Sequence, residues 1–200
     1  MRNAAATKER ILAAALAEFS AHGIAGARVD RIAQAARCNK NLIYIYFEDK
    51  ETLFTTVLQK HLVRIHEEQP FTPDDLPGYA AKVFDWGQAN PDLMRLLAWS
   101  ALEQQAKGQA ERVAALDAKV AALAEAQNAG RVGTAFPPDF LLIAVMSLAT
   151  AWSVASPFGP SVNPRAAERP AALREGLIEA VRLLASAGKG KRTQGRDKVR

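Results

Sequence analysis

The sequence predicts an all-α fold, with an N-terminal three-helix head and a larger C-terminal helical body. Apolar residues recur at the three- and four-residue spacing of amphipathic helices along most of the chain. Glycine, proline and asparagine separate these segments, and neither a strand-like alternation nor an internal repeat is present. With 200 residues and 49% hydrophobic composition, the chain can bury one sizeable core, or form a small head on a larger body.

The first helix is predicted to begin at Thr7, a suitable N-cap, and to end at Gly23. Its apolar stripe consists of Ile11, Leu12, Ala15, Leu16 and Phe19. The link from His22 to Ala27 is short and contains two glycines. This helix should therefore pack closely behind the two that follow it.

Two short helices joined by a tight turn are predicted next. The segment from Val29 to Arg37 has one apolar face and carries Asp30 in its first turn. Cys38 interrupts the pattern, and Asn39 is a good N-cap for a second helix. Two short helices around a tight turn form a helix-turn-helix motif.

The second of these helices carries polar residues away from its apolar face. Its apolar stripe consists of Leu42, Ile43, Tyr46 and Phe47. Lys40, Asn41 and Tyr44 fall outside this stripe and are expected to point away from the core. Lysine can donate hydrogen bonds to guanine, and asparagine can pair with adenine. These side chains are therefore of types that read a DNA groove.

A pattern of some ten residues runs through both helices into the segment after them. It consists of Ile32-Ala33-x-x-Ala36, Asn39, Ile43-Tyr44-x-Tyr46-Phe47 and Lys50-Glu51-x-Leu53. In order, spacing and residue type it resembles the DNA-binding signature of the tetracycline-repressor (TetR) family of transcriptional regulators. The chain departs from that signature at Arg37-Cys38, where the family usually has Gly-Val, and near Arg28, where the family often has Thr or Ser as the cap of the second helix.

The resemblance implies a recognition helix that begins at Asn39 and enters the major groove of operator DNA. It also implies that Tyr46 and Lys50 contact phosphate, and that Arg37 replaces by charge a contact usually made by a hydroxyl group. The expected DNA-binding residues are Arg28, Arg37, Asn39, Lys40, Asn41, Tyr44, Tyr46 and Lys50. Two alternatives remain open, that Tyr44 contacts phosphate only and that Lys40 is a solvated charge.

A longer helix from Lys50 to about Glu68 is predicted to join the head to the body. His61 and His66 are five residues apart within it, which is a poor fit to the same-face spacing of helical metal ligands. No metal site is therefore expected. Three prolines and a glycine between residues 70 and 78 then break the chain.

The body is predicted to consist of helices throughout. Asn90 is expected to cap the helix that begins at Pro91. The other predicted body helices are Leu76 to Ala89, Glu111 to Asn128, Phe140 to Val154 and Ala166 to Ala187.

The segment from Phe140 to Val154 is apolar almost all round, so more than one of its sides must be covered. It is shorter than the roughly 20 residues of a membrane span, and prolines lie on both sides of it. It is therefore interpreted as a buried helix. The resemblance implies that the last two helices pack against those of a second copy as a four-helix bundle. The alternative is a monomer whose own helices cover both sides.

The resemblance also implies a small-molecule effector cavity between the connecting helix and the body. The expected lining residues are Trp86, Met94, Trp99, Glu103 and Trp152. Glu103 lies one helical turn beyond Trp99, and a carboxylate beside tryptophans suits a lipophilic cation. The alternative is that the tryptophans belong to the core and Glu103 pairs with Lys107 in solvent.

The net charge of +5 is concentrated in the tail that begins at Gly188, which contains six Lys or Arg and one Asp. This tail is expected to be a disordered, solubilising end, or to add non-specific phosphate affinity. The N-terminus lacks the apolar segment of a signal peptide, so the chain is expected to remain in the cytoplasm and not to enter a membrane.

The expected organisation is a helix-turn-helix DNA-binding domain at residues 1–50, a ligand-binding and dimerisation domain at 51–187 and the tail at 188–200. No phosphate-binding glycine loop, HExxH motif or nucleophile elbow is present, so no catalytic residues and no cofactor are expected. The resemblance implies a homodimeric repressor released from a palindromic operator by a small lipophilic molecule. The alternatives are an all-α ligand-binding protein or enzyme without DNA contact, and a DNA-binding activator.

Overall fold

The computed structural model describes residues 2–68, 70–102, 109–165 and 168–189. In these residues the chain forms ten α-helices and no β-strand, which confirms the predicted fold class. The helices are α1 (Arg2–Gly26), α2 (Val29–Ala35), α3 (Lys40–Phe47), α4 (Lys50–Glu68), α5 (Leu76–Ala89), α6 (Pro91–Leu102), α7 (Gln109–Asn128), α8 (Pro138–Thr150), α9 (Gly159–Val162) and α10 (Pro170–Ser186). The basic tail from residue 190 onward lies outside the described residues.

The predicted cap at Thr7 is wrong, because α1 already begins at Arg2. Thr7 is buried within the helix, and its hydroxyl oxygen accepts a hydrogen bond from Nη2 of Arg10 at 3.2 Å. Three consecutive alanines precede Thr7, and alanine has the highest helix propensity, so the helix extends beyond the local cap signal. The predicted end at Gly23 is a kink within α1, because Gly23 has φ of 66° and ψ of −178° and the helix continues to Gly26.

The turn between α2 and α3 follows the sequence pattern closely. α2 ends at Ala35, two residues before the predicted end, and Arg37 has a left-handed φ of 52° that stops the helix. Asn39 caps α3 as predicted, because its side-chain oxygen accepts a hydrogen bond from the Asn41 backbone N–H at 2.9 Å.

Asn90 has a different role from the one predicted. Its side-chain nitrogen and its backbone N–H both donate to the carbonyl of Trp86, at 2.9 and 3.0 Å, so the side chain serves the end of α5. Its own carbonyl accepts the N–H of Met94, and Pro91 takes the first position of α6. Asn90 therefore joins α5 to α6 without capping α6 through its side chain.

The last two long helices are shorter than predicted. α8 begins at Pro138 and ends at Thr150, and α10 begins at Pro170 because the proline keeps Arg169 out of helical geometry. Two short elements were not predicted, namely α9 and a 3-10 turn at Pro73–Asp75.

Buried side chains of the described residues form two hydrophobic cores. Unexpectedly, α6 packs with the head helices and not with the other helices of the body. The first core contains side chains from α1 to α4 together with Leu93 and Leu96 of α6. The second core is built mainly from α5, α7, α8 and α10. α6 packs along α1, and Nε1 of Trp99 donates to the Ser20 carbonyl at 3.2 Å. The chain passes from the second core to the first at Asn90.

The loop between α7 and α8 holds the C-terminal end of α10. The Gly133 N–H donates to the Ala185 carbonyl at 2.7 Å, and the Ala135 N–H donates to the Ala187 carbonyl at 3.1 Å. The Gln127 side chain supports the loop by donating to two of its carbonyls. These bonds satisfy carbonyl groups that have no partner inside the helix.

Candidate DNA-binding surface

Glu18 of α1 holds the beginning of α2. Its side chain is only 11% exposed, and its Oε1 accepts hydrogen bonds from the Arg28 backbone N–H at 2.9 Å and from Nε of Arg31 at 2.7 Å. Arg28 itself makes no side-chain cap. Glu18 therefore accepts, from another helix, the backbone N–H of the residue before α2, which is the N–H that the third residue of a capping box accepts locally.

The same contacts keep Glu18 ionised. Burial acts to raise the pKa of Glu18, but the hydrogen bonds from Arg31 and from the Arg28 backbone outweigh it, so the pKa lies below its ordinary value. At the other end of α2, Nε of Arg10 donates to the Ala36 carbonyl at 3.2 Å. The first helix thus holds both ends of α2. Sequence reasoning missed Glu18 because its partners are ten or more residues away.

The recognition helix α3 is anchored on one side and exposed on the other. Ile43 and Phe47 are buried in the first core, whereas Tyr44 and Ile45 are 42% and 72% exposed. Asn41 is exposed as well, and Lys40 is partly exposed. Ile45 was not singled out from the sequence, although an exposed apolar side chain beside groove-reading residues suits a thymine methyl group.

Lys40 already has a partner in this structure. Its Nζ lies 2.8 and 3.0 Å from the two carboxylate oxygens of Asp30. The hydrogen bond to Asp30 raises the pKa of Lys40 above its ordinary value, so Lys40 carries its full charge at neutral pH.

The expected phosphate-contacting residues are distributed around α3. Nζ of Lys50, at the start of α4, donates to the Ala27 carbonyl at 3.3 Å, which places Lys50 close to Arg28. Arg28 and Arg37 are exposed at the two ends of α2. Tyr46 is partly buried against the first core and meets the Phe47 ring edge-on, so most of its ring is used in packing.

Among the expected effector-binding residues, Trp86 packs against the first core and Trp152 against the second. Trp86 lines a cavity of about 250 Å³ between α1, α4 and the turn from α5 to α6. Met94 is buried near Gly87, Trp99 bonds to α1, and Trp152 packs against the second core. Glu103 and Lys107 lie outside the described residues. The complete lining of the cavity is Leu16, His61, Trp86, Ala89, Asn90, Pro91, Asp92 and Leu93.

Membrane-spanning helices and metal-binding clusters are both absent from the described ranges. No helix within them is long and apolar enough to cross a membrane. No group of three or more His, Cys, Asp or Glu side chains that could hold a metal ion was found in them.

The exposed helix α3 follows a tight turn after α2, and α2 is held at both ends by α1. Two short helices arranged in this way form a helix-turn-helix DNA-binding unit. Comparison with protein families agrees with this class. Residues 11–57 match the family of bacterial regulatory proteins named tetR, and residues 75–182 match the tetracyclin repressor-like C-terminal domain. The chain therefore belongs to the TetR family, and it is a DNA-binding transcriptional regulator rather than an enzyme.

Individual relatives support the same assignment. The HTH-type transcriptional repressor SCO4008 of Streptomyces coelicolor is 42% identical over 159 residues, which cover 78% of this chain and 82% of that protein. The HTH-type transcriptional repressor NicS of Pseudomonas putida is 31% identical over 105 residues, about half of each chain.

Solved structures share the fold. The transcriptional regulator SCO4942 from Streptomyces coelicolor superposes with a TM-score of 0.76 at 38% identity, over 88% of this chain and 96% of that one. HlyIIR, a hemolysin II transcriptional regulator, gives a TM-score of 0.60 at 21% identity over 87% of this chain and 96% of that chain. The second likeness concerns the fold alone.

Proposed function

We propose that this protein is a homodimeric repressor that binds a roughly palindromic operator in the cytoplasm and is released by a small lipophilic effector. The observation that carries this proposal is the two-sided character of α3, with Ile43 and Phe47 anchored in the core and Asn41 and Tyr44 exposed. Two such helices in a symmetric dimer meet half-sites about one DNA turn, or a multiple of it, apart. The repressor names of the relatives support the sign of regulation.

The proposed contacts fall into two classes. Lys40, Asn41 and Tyr44 reach base edges and specify sequence, whereas Lys50 and the arginines beside α2 contact phosphate and position the head. The test is binding to an operator duplex and to a scrambled duplex over a series of salt concentrations. Salt-sensitive preference for the operator is expected, and equal binding to the two duplexes would contradict the proposal.

Exposed apolar side chains on α8 and α10 support dimerisation through these two helices. Phe140 and Ile143 of α8 are 54% and 64% exposed, and Leu183 of the adjacent α10 is 58% exposed. Large apolar side chains gathered on two neighbouring helices indicate an interface between copies of the chain.

Replacement of Ile143 or Leu183 by glutamate tests this interface by sedimentation. Each variant is expected to be monomeric at concentrations at which the unchanged protein is dimeric, and to bind the operator weakly. Leu102→Glu is the matched control, because Leu102 is exposed but lies on α6. If only the Leu102→Glu control becomes monomeric, the dimer interface does not lie on α8 and α10.

We propose the cavity beside Trp86 as the effector site. It lies where the chain passes between the two cores, so an occupant there contacts α1 and α4 of the head side as well as the end of α5. Trp86 and Asp92 both line it, and the Asp92 carboxylate pairs with Nη1 of Arg95 at 3.1 Å, so an aromatic cation bound beside Trp86 would compete with Arg95 for that carboxylate. The effector releases the operator only to the extent that it binds the released arrangement more tightly.

A panel of aromatic cations and matched neutral analogues tests the site. Operator release by the cations is expected to weaken in Asp92→Asn, whereas Asp139→Asn, which changes an exposed acid of α8, is expected to have no effect. Equal release by cations and neutral analogues would remove the cation proposal and leave the repressor proposal intact.

A further inference from the structure

An ion pair joins the beginnings of α2 and α3 on the exposed side of the head. Asp30 lies in the first turn of α2, and Lys40 is the first residue of α3. The Asp30 side chain is 73% exposed and the Lys40 side chain 42%, so the pair lies at the surface and is not part of the core. It adjoins the exposed face of α3 that carries Asn41 and Tyr44.

The position of the Asp30–Lys40 pair beside the exposed face of α3 explains it better than a contribution to folding stability does. Exposed ion pairs contribute little to folding. Lys40 is also a cation near the positive N-terminal end of a helix dipole, where positive charge is disfavoured, and the Asp30 carboxylate offsets this. As a unit the pair presents no net charge to an approaching phosphate.

We propose that Asp30 is a specificity-determining residue that keeps Lys40 from binding phosphates. The inference rests on the proposed base contact of Lys40. A Lys40 ammonium that moves to a phosphate leaves the Asp30 carboxylate uncompensated beside a second anion. A guanine edge presents neutral acceptors, and an ammonium has three donors, so Lys40 can bond to guanine without leaving Asp30.

The head has a small net charge, so the loss of a single carboxylate changes that charge substantially. Residues 1–50 contain eight Lys or Arg and five Asp or Glu, a net charge of +3. Loss of Asp30 raises this to +4 in each subunit and leaves Lys40 available to phosphate. Non-specific DNA binding depends on the number of phosphates that cations neutralise, so it should respond more strongly than operator binding.

The test compares the unchanged protein with Asp30→Asn on two duplexes. One is an operator selected by the unchanged protein from a random pool, and the other is its scrambled counterpart. On the scrambled duplex, Asp30→Asn is expected to tighten Kd about fivefold to tenfold at about 0.1 M salt and to steepen the slope of log K against log salt by about 0.9 per subunit bound. The operator Kd is expected to change less than about twofold, so the specificity ratio falls.

The matched control is Asp74→Asn, which removes an exposed carboxylate that pairs with Arg131 in the body. It makes the same change in net charge and is expected to leave both affinities unchanged. Far-ultraviolet circular dichroism and thermal melting verify that both variants are folded.

A double-mutant cycle identifies the route of the effect. In a Lys40→Ala background, Asp30→Asn is expected to tighten binding to the scrambled duplex by a clearly smaller factor, because only the repulsion between the Asp30 carboxylate and phosphate is then removed. An undiminished effect there, equal tightening of both duplexes, or no tightening of either would each overturn the proposal. A protein that selects no sequence from the pool would contradict the proposed function instead, and the salt series on random DNA would still test Asp30.

Discussion

Removal of the Glu18 carboxylate should destabilise the head although Glu18 is not one of the proposed DNA-contacting residues. Glu18→Ala removes the acceptor for the Arg28 N–H and for Nε of Arg31, at 2.9 and 2.7 Å. A hydrogen bond to a charged group contributes about 1.5 to 3 kcal/mol, so Glu18→Ala should cost about 2 kcal/mol of unfolding free energy. Glu18→Gln keeps an acceptor but loses the charge, and should cost about 1 kcal/mol.

Thermal unfolding measures the effect. For a chain of this length, a change of 1 kcal/mol corresponds to about 2 to 4 °C in Tm, so Glu18→Ala should lower Tm by about 4 to 8 °C. Glu9→Gln is the control on the same helix, because Glu9 forms an exposed ion pair with Lys60. An exposed pair contributes about 0 to 1 kcal/mol, so the control should change Tm little.

The pH dependence gives an independent check. The pKa of Glu18 is lower in the folded protein than its ordinary value of 4.5, so unfolding at acid pH takes up a proton. The stabilisation by the ionised Glu18 carboxylate is therefore fully present above about pH 4.5, and it is lost as the pH falls through the lower pKa of the folded protein. The stability gap between the unchanged protein and Glu18→Gln should close over that range. A gap that stays constant there, or a Glu18→Gln variant no less stable than Glu9→Gln, would refute this reasoning.

Three further substitutions test other parts of the molecule. Lys50→Ala should weaken binding to operator and scrambled duplexes alike and make the salt slope shallower by about 0.9 per subunit, as measured by gel shifts at several salt concentrations. Asn41→Ala should cost about 1 to 3 kcal/mol on the operator and relax preference at one base pair, which selection from a random pool would reveal. Gly133→Ala should cost about 1 to 3 kcal/mol in chemical denaturation, because its Cβ would lie 2.1 Å from the Ala187 carbonyl oxygen. Gly176→Ala, a helical position with open space, is its control and should be neutral or stabilising. Equal effects of the two glycine substitutions would contradict the close approach.

Local signals in the sequence predicted most of the secondary structure. α4 and α5 have the bounds that the pattern predicted, and Asn39 caps α3 as expected. The ends of a helix depend on residues within one turn of them, so caps, prolines and apolar spacing can be recognised without knowledge of the fold. The cap predicted at Thr7 is an exception, because the alanines that precede Thr7 extend the helix beyond it.

Contacts between distant residues could not be predicted in the same way. Glu18 of α1 accepts the Arg28 backbone N–H before α2, and Arg174 of α10 binds Asp85 of α5 across 89 positions. The Asp30–Lys40 pair likewise depends on the angle between two helices. Nothing in the sequence near these residues indicates their partners, because the partners are selected by how whole helices pack.

The sequence alone therefore determined the fold class, the helix-turn-helix and the polar character of the recognition helix, all of which depend on residue type and short spacing. The tertiary structure alone decided that α6 packs with the first core, and that Trp86 packs against the first core whereas Trp152 packs against the second. The physical reason is that an apolar stripe shows only that a helix face is buried. Which other helix covers that face depends on the packing of the entire chain.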